Sequence, residues 1–187
     1  MVLGPKKLLQ LVRKIRLVEN LSERELANPE GAGFDLRLGE IYKISGKAFL
    51  GVHERHTAEI KLIAEFKSQK SKVKSTSKNS KVVIKPGEFY LVKTVESVNM
   101  PENLTASITP RSTTYRSGLF IRTGNVPPGY CGGLTFGLKN EGPVPVTIEL
   151  GARFVHIQFH EVRGAGNMYR GQWQGGRVTT RRRERQV

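Results

Sequence analysis

The residues best suited to chemistry form a short polar motif in the middle of the chain, Pro110-Arg111-Ser112-Thr113, followed by Arg116. The guanidinium group of arginine is a forked, permanently charged donor, and the hydroxyl groups of serine and threonine add further donors. Backbone N–H groups in a turn also bind anions. The motif therefore suits a di- or triphosphate, although the tripeptide alone is more typical of a turn with an exposed arginine.

The histidines are a weaker set of candidates. His53 and His56 could contact a metal ion, but no cluster of Cys or carboxylate residues with ligand spacing accompanies them. His156 and His160 lie four residues apart on a predicted strand, which places them on one face. We expect a structural role for all four histidines, and no metal site. Trp173 could stack on a base or close one end of the fold.

The elements that must position these residues are mostly short strands. Residues 5 to 18 have apolar side chains at helical spacing and predict an amphipathic helix packed on the domain, although membrane contact is an alternative use of such a pattern. Ser22 and Glu25 predict a capped short helix over 22 to 27. From Gly33 onward, short alternating segments are separated by Gly and Pro, which predicts an all-β barrel or sandwich.

The positive charge of the chain is concentrated in two segments. The net charge is +15, and 11 of these excess charges lie in Lys67–Lys85 and in the tail from Arg177 onward. One interpretation is a soluble, highly charged surface. The other, which we favour, is a polyanionic partner, because clustered Lys and Arg release counterions from phosphates.

Five segments of this chain occur in a characteristic order. They are AGFDLRLG at 32 to 39, KPGEFYLVKTVE at 85 to 96, PRSTTYRSG at 110 to 118, PPGYCGGLTFGLKN at 127 to 140, and LGARFVHIQF at 150 to 159. In order and spacing they resemble the trimeric dUTP diphosphatases and dCTP deaminases. The N-terminal helix and the ending YRGQWQGGRV at 169 to 178 are more similar to the deaminases. The resemblance covers about residues 3 to 178.

The resemblance implies a twisted, dUTPase-like all-β fold with an N-terminal helix, assembled as a homotrimer with active sites between subunits. The ligand would be a pyrimidine deoxynucleoside triphosphate, with Mg²⁺ only as part of the nucleotide complex and no other cofactor. Tyr130 would lie by the deoxyribose, and Asp35 would support the site. The C-terminal segment, with Arg170, Gln174 and Arg177, would fold over the nucleotide, and Gln174 would contact the nucleoside. The implied phosphate ligands are Arg111, Ser112, Thr113 and Arg116.

The catalytic positions depart from this pattern. The dUTP diphosphatases use an Asp three residues before the Tyr to activate water, and Pro127 stands there in this chain. The deaminases use a Glu in the strand just after the Tyr-x-Gly turn to move protons, and Gly137 stands there. Neither residue can accept a proton, whereas both reactions need a positioned base. No Asp or Glu lies between Glu102 and Glu141, and Glu141 itself occupies a turn.

Two functions follow from these observations. The favoured hypothesis is a non-catalytic relative, without catalytic residues, that keeps the triphosphate motif and binds RNA, DNA or a ribonucleoprotein through its basic segments. The alternative is an active dUTP diphosphatase or dCTP deaminase with a rearranged site. The residues expected to contact nucleic acid are Lys67, Lys70, Lys72, Lys74, Lys78, Lys81, Arg181, Arg182, Arg183 and Arg185.

The organisation of the chain is expected to be simple. We predict one domain over residues 1 to 178, with a basic Lys/Ser loop at 67 to 81, and a basic tail over 179 to 187. No apolar run approaches the roughly 20 residues that span a bilayer, and the start lacks a signal-peptide pattern. The only cysteine, Cys131, cannot form an internal disulfide. These features predict a cytoplasmic protein without membrane contact.

Overall fold

The computed structural model describes residues 1–66, 81–164 and 166–185, and antiparallel strands dominate it. Its helices are α1 (Pro5–Ile15), α2 (Glu23–Ala27) and α3 (Ser112–Arg116). Its strands are β1 (Val18–Glu19), β2 (Phe34–Ser45), β3 (Phe49–Leu50), β4 (Glu54–His56), β5 (Glu59–Glu65), β6 (Lys81–Ile84), β7 (Phe89–Asn99), β8 (Leu104–Pro110), β9 (Leu119–Arg122), β10 (Cys131–Asn140), β11 (Val146–Glu149), β12 (Arg153–Glu161) and β13 (Glu184–Arg185). This confirms the predicted all-β class with an N-terminal helix.

One large sheet forms a nearly closed, dUTPase-like barrel. Its strand order is β8-β12-β2-β7-β10-β9, with β1 beside β7 and β5 beside β2. Two smaller sheets pair β6 with β11, and β4 with β3 and β13. Strand β2 pairs with β12 through its first half and with β7 and β5 through its second half. It therefore carries residues from the phosphate-motif side of the barrel into the middle of the sheet.

The core fills the interior of the barrel with large apolar side chains from sequence-distant strands. Phe34, Phe154 and Phe159 are fully buried or nearly so, and the rings of Phe34 and Phe159 meet edge to face with their centroids 6.4 Å apart. Burying each such side chain contributes about 1.5–3 kcal/mol. The first half of β2 is buried almost continuously because neighbouring elements cover both its faces.

Helix α1 is shorter than its sequence pattern predicts. It begins with Pro5 in its first turn, where a missing N–H costs nothing, and buries Leu8 completely. It ends at Ile15 because Arg16 adopts a left-handed conformation with φ 53°. Val18 and the following residue then pair with β7 as strand β1. None of the helices in the described ranges is long and apolar enough to cross a membrane.

Helix α2 forms where the capping pattern predicts it, but its glutamate has a different partner. The hydroxyl of Ser22 accepts a hydrogen bond from the backbone N–H of Glu25 at 3.4 Å. The carboxylate of Glu25 accepts instead from the backbone N–H of Asp35 at 3.1 Å, and is fully buried. The helix is thereby fastened to the start of β2, directly beside the phosphate motif.

Candidate functional site

The predicted phosphate motif lies where β8 passes into α3. Arg111 occupies the residue before the helix, with extended backbone angles, and Ser112 begins it. Ser112, Thr113 and Arg116 are exposed, whereas Arg111 is half-buried. Thr114 anchors the turn because its buried hydroxyl donates to a backbone carbonyl of β12 at 2.9 Å. The motif therefore presents two hydroxyl groups and one free-standing arginine at the surface.

Asp35 is the centre of a buried ionic cluster beneath this motif. Its carboxylate contacts the guanidinium groups of Arg111 and Arg153, the latter at 2.8 Å, and Nη1 of Arg24 at 3.8 Å. Nδ1 of His156 lies 3.0 Å from its other oxygen. The supporting role that the resemblance implies for Asp35 thus has a physical form: the carboxylate orients Arg111 from below.

Burial governs the ionisation of this cluster. It lowers the pKa of Arg111, and repulsion from Arg153 lowers that pKa further. Burial also lowers the pKa of His156. The carboxylates of Glu25 and Glu30 oppose this effect on the pKa of His156, whereas the positive charge of Arg111 adds to it. Because a carboxylate oxygen accepts, Nδ1 of His156 is the donor in its contact with Asp35.

Tyr130 follows the turn that leads into β10. Its hydroxyl donates to the backbone carbonyl of Gly133 at 2.7 Å, and its ring meets that of Tyr169 edge to face at 5.4 Å. Burial raises the pKa of Tyr130 to about 12, so its hydroxyl stays protonated in the physiological range. The side chain is fixed in place rather than free to swing.

A cavity of about 530 Å³ opens beside Tyr130, within the size range of small-molecule sites. Its wall is mainly apolar and combines β7, β8 and β10 with the β3–β4 hairpin and the C-terminal segment. The lining residues are Ile44, Ala48, Leu50, His56, Thr57, Ala58, Leu91, Ile108, Gly124, Asn125, Val126, Pro127, Tyr130, Leu134, Thr135, Phe136, Tyr169, Trp173, Arg177 and Val178.

The C-terminal segment is seated on the Tyr130 turn by direct backbone contact. A Cβ atom added to Gly132 would lie 2.2 Å from the backbone nitrogen of Gly176, so only glycine permits this approach. Gln174 accepts from the N–H of Cys131 at 3.1 Å and donates to the carbonyl of Gly129 at 3.0 Å. Gln174 was predicted to contact the nucleoside. Within one chain, its side-chain amide instead holds the C-terminal segment against the Tyr130 turn.

The chain end is also fastened to the β3–β4 hairpin. The backbone N–H of Thr57 donates to the hydroxyl of Thr180 at 2.9 Å, and the N–H of Thr180 donates to that of Thr57 at 2.9 Å. Beyond them, Glu184 contacts Arg177 and accepts from Gln172 at 3.0 Å. The domain boundary predicted after Val178 stays a prediction, and Glu184 beyond it contacts Gln172 and Arg177 before it.

The structure does not bring all the predicted site residues together within one chain. Tyr130 lines the cavity, and Gln174 lies against the turn that carries it. The four phosphate-motif residues are not part of the described cavity wall. Asp35 belongs to the cluster beneath that motif.

The positions expected to hold a catalytic acid are occupied as the sequence indicates. Pro127 lines the cavity. Gly137 pairs with Leu91 and lies two residues from Thr135, so it shares their cavity-side face of the sheet. A Cβ atom at Gly137 would lie 3.0 Å from the ring of Phe89, which fills the space where a longer side chain would project.

The histidines separate into different environments. His53 is exposed, whereas His56 lines the cavity. His156 belongs to the Asp35 cluster, and Nε2 of His160 lies 2.8 Å from the hydroxyl of Ser107. No group of His, Cys, Asp and Glu in the described residues could hold a metal ion.

Sequence reasoning missed three residues near these sites. Arg153 was not singled out, although it lies in the segment LGARFVHIQF, and His56 was weighed only as a metal ligand. Thr135 follows the Tyr-x-Gly turn on an alternating strand, and its parity with Gly137 is the signal that could have revealed it.

The basic segments are only partly described. Residues 67 to 80, with Lys67 to Lys78, lie outside the described residues. Lys81 begins β6 and is exposed. In the tail, the guanidinium of Arg183 lies 4.8 Å from the ring centroid of Phe49 and 3.9 Å from Glu54, and Arg185 pairs with β4. The described tail arginines thus include residues that bind the protein itself.

The similarity to known proteins covers most of the chain. A family model described as dCTP deaminase-like matches residues 2–162. A dCTP deaminase of Pyrococcus furiosus is 34% identical over 88% of this chain and 88% of its own length. A dUMP-forming dCTP deaminase of Dictyoglomus turgidum is 28% identical over 87% and 81%. A dCTP deaminase structure from Agrobacterium tumefaciens superposes with a TM-score of 0.61 at 20% identity, covering 84% of this chain and 47% of that longer one.

The fold and these matches define a member of the dUTP diphosphatase and dCTP deaminase superfamily. Within it, the chain belongs to the dCTP deaminase-like family. The expectation of a non-catalytic relative that acts on nucleic acid is therefore wrong, because proteins with the same domain over nearly their whole length are named as deaminases. The missing acids at Pro127 and Gly137 misled that expectation, since they show only that the familiar base is absent.

Proposed function

We propose that this protein is an enzyme that deaminates dCTP. The observation that carries the proposal is the 34% identity to the Pyrococcus furiosus dCTP deaminase, spread over 88% of both chains. The cavity beside Tyr130 supports it, because its volume suits a pyrimidine nucleoside and its mainly apolar wall suits the faces of a base.

The phosphate end of the substrate would bind at the start of α3. Arg111 supplies a fixed fork of donors, because Asp35 holds its guanidinium from below. Arg116, Ser112 and Thr113 would complete the contacts, since all three are exposed beside it. Mg²⁺ would enter only as the counterion of the triphosphate.

The active assembly in this proposal is a homotrimer. Its support is the separation of the phosphate motif from the cavity wall within one chain. A neighbouring copy could place its motif at the mouth of the cavity and complete the site. Light scattering at micromolar protein concentration should give three times the mass of the 20.9 kDa chain. A monomer that stays monomeric with dCTP would contradict the shared site.

The direct test is turnover. Purified protein is incubated with dCTP and, separately, with dUTP in the presence of Mg²⁺, and the nucleotides are resolved by ion-exchange chromatography while ammonia is measured. We expect ammonia from dCTP in equal amount to the deaminated nucleotide, which appears as dUTP. We expect dUTP alone to remain intact, because Pro127 cannot activate water for its hydrolysis. No ammonia from dCTP would refute the proposal.

A further inference from the structure

The cavity beside Tyr130 offers few groups that could move a proton. Among its lining residues, Tyr130 is held by Gly133 and its pKa is raised to about 12. Arg177 is paired with Glu184. The wall that the structure describes includes no Asp or Glu. Its one imidazole belongs to His56, the type of side chain that accepts and returns protons near neutral pH.

The strand that carries His56 is paired along both of its edges. It ends strand β4, where it pairs with Phe49 of β3. The other edge of β4 pairs with β13, and the adjacent Thr57 exchanges hydrogen bonds with Thr180. The C-terminal segment therefore fixes the backbone from which this imidazole meets the cavity. A residue used only for surface solubility would need no such bracing.

We propose that His56 is the proton-transfer residue of this enzyme. This inference rests on the proposed deamination of dCTP. The imidazole takes a proton from water as the water oxygen bonds to C4 of cytosine. The electron pair of the C4–N3 double bond moves to N3, which receives that proton from the imidazolium. This transfer neutralises both the imidazolium and the negative charge on N3. The product is a tetrahedral intermediate whose C4 carries a hydroxyl and an amino group.

The same imidazole completes the reaction. It takes the hydroxyl proton of the intermediate and delivers a proton to the amino group, and the C4–N4 bond breaks as the C4 carbonyl forms. Ammonia leaves and a uracil base remains, so water is the only other reactant consumed.

The test compares two histidines of one hairpin. His56→Gln should lower kcat for dCTP by about 10²- to 10⁴-fold, the usual contribution of a general acid–base. The affinity for dCTP, measured by calorimetry, should change less than threefold. His53→Gln is the matched control, because His53 is exposed outside the cavity wall, and should react like the unmutated protein. Circular dichroism confirms that each variant is folded.

A chemical rescue separates catalysis from structure. His56→Ala leaves room for a free imidazole molecule, and adding imidazole to the assay should restore part of kcat in this variant and not in His56→Gln.

The outcomes distinguish this inference from the function on which it rests. If the unmutated protein releases no ammonia from dCTP, the proposed function fails and the role of His56 fails with it. If the unmutated protein is active and folded His56→Gln turns over dCTP at the same rate, only the assignment of His56 is overturned. A slow His56→Ala variant that imidazole does not accelerate would also overturn it.

Discussion

Two clusters in this molecule are built around a carboxylate that pairs with arginine, and they differ chiefly in burial. Asp35 binds Arg111 and Arg153 with its side chain only 1% exposed. Glu184 binds Arg177 with its side chain 22% exposed. The first joins β2, β12 and the phosphate motif, whereas the second joins residues within the C-terminal segment, next to the pairing of β13 with β4.

The difference shows that the same ion pair has different uses at different depths. A buried charge that loses its partner leaves the other charge uncompensated in a low-dielectric interior. An exposed pair is solvated by water whether or not it forms, so it contributes little to global stability. We therefore regard the Asp35 cluster as part of the core and the Glu184 cluster as a fastening that can open.

The largest expected effect comes from removing the buried carboxylate. Asp35→Asn should lower the free energy of unfolding by about 3–5 kcal/mol, because two or more guanidinium groups lose their counter-charge. Chemical denaturation followed by circular dichroism measures it. The matched control is Glu30→Gln, since Glu30 also pairs with Arg24 but is 66% exposed; it should cost less than about 1 kcal/mol. Equal effects of the two substitutions would contradict the comparison.

The two arginines of the phosphate motif sharpen the comparison, because only one of them belongs to the Asp35 cluster. Under the proposed function, Arg116→Ala should weaken triphosphate binding by about 1.5–3 kcal/mol and leave stability unchanged. Arg111→Ala should weaken triphosphate binding and also lower the free energy of unfolding. Calorimetry with dCTP and denaturation curves test the two effects, with Arg13→Ala on the exposed face of α1 as the control. A loss of stability in Arg116→Ala would show that Arg116 also belongs to the Asp35 cluster, which would contradict the comparison.

The next effect is a pH dependence that originates at His156. Burial lowers its pKa in the folded protein, whereas the unfolded chain has the ordinary value of about 6.5. The unfolded chain thus binds more protons as the pH falls, and stability decreases with it. The contribution should be complete above about pH 7.5 and decline from about pH 6.5 downward.

His156→Gln tests this dependence, because an amide can still donate to Asp35 but does not titrate. The free energy of unfolding of the variant should fall less steeply than that of the unmutated protein between about pH 7 and 5. His53→Gln, at an exposed position, should keep the original slope. Parallel slopes for His156→Gln and the unmutated protein would show that burial does not control this imidazole.

The smallest global effect is expected at the rim. Glu184→Gln should leave the denaturation midpoint nearly unchanged, because Arg177 and the carboxylate are both solvated. Local opening should increase, so amide hydrogen exchange of residues 177 to 185 should become faster than in the unmutated protein. Glu59→Gln, at an exposed acid of strand β5, is the control. A large drop in the midpoint would place this cluster in the same class as the Asp35 cluster.

Several features were predictable from sequence because they depend on neighbouring residues. The alternation of apolar residues and the Gly and Pro punctuation predicted an all-β fold, and the apolar spacing over 5 to 18 predicted α1. The ordered motifs predicted the superfamily, with Arg111 and Tyr130 in its characteristic segments. Helix α1 ends earlier than predicted because Arg16 adopts a left-handed conformation. The apolar spacing that predicted the helix continues to Val18 and gives no sign of this end. The non-catalytic hypothesis was wrong because it rested on the missing acids, and a missing residue shows only that the familiar base is absent.

What the sequence by itself determined is therefore the class of fold, the family motifs and the absence of acids at Pro127 and Gly137. Only the tertiary structure decided which partners those motifs have. Register along β2 and β12 brings Asp35 to Arg153 across 118 residues of chain, and the folded-back chain end brings Thr180 to Thr57 across 123. Such contacts are selected by strand pairing and by the exclusion of water from the barrel, and neither is encoded in the spacing of nearby residues.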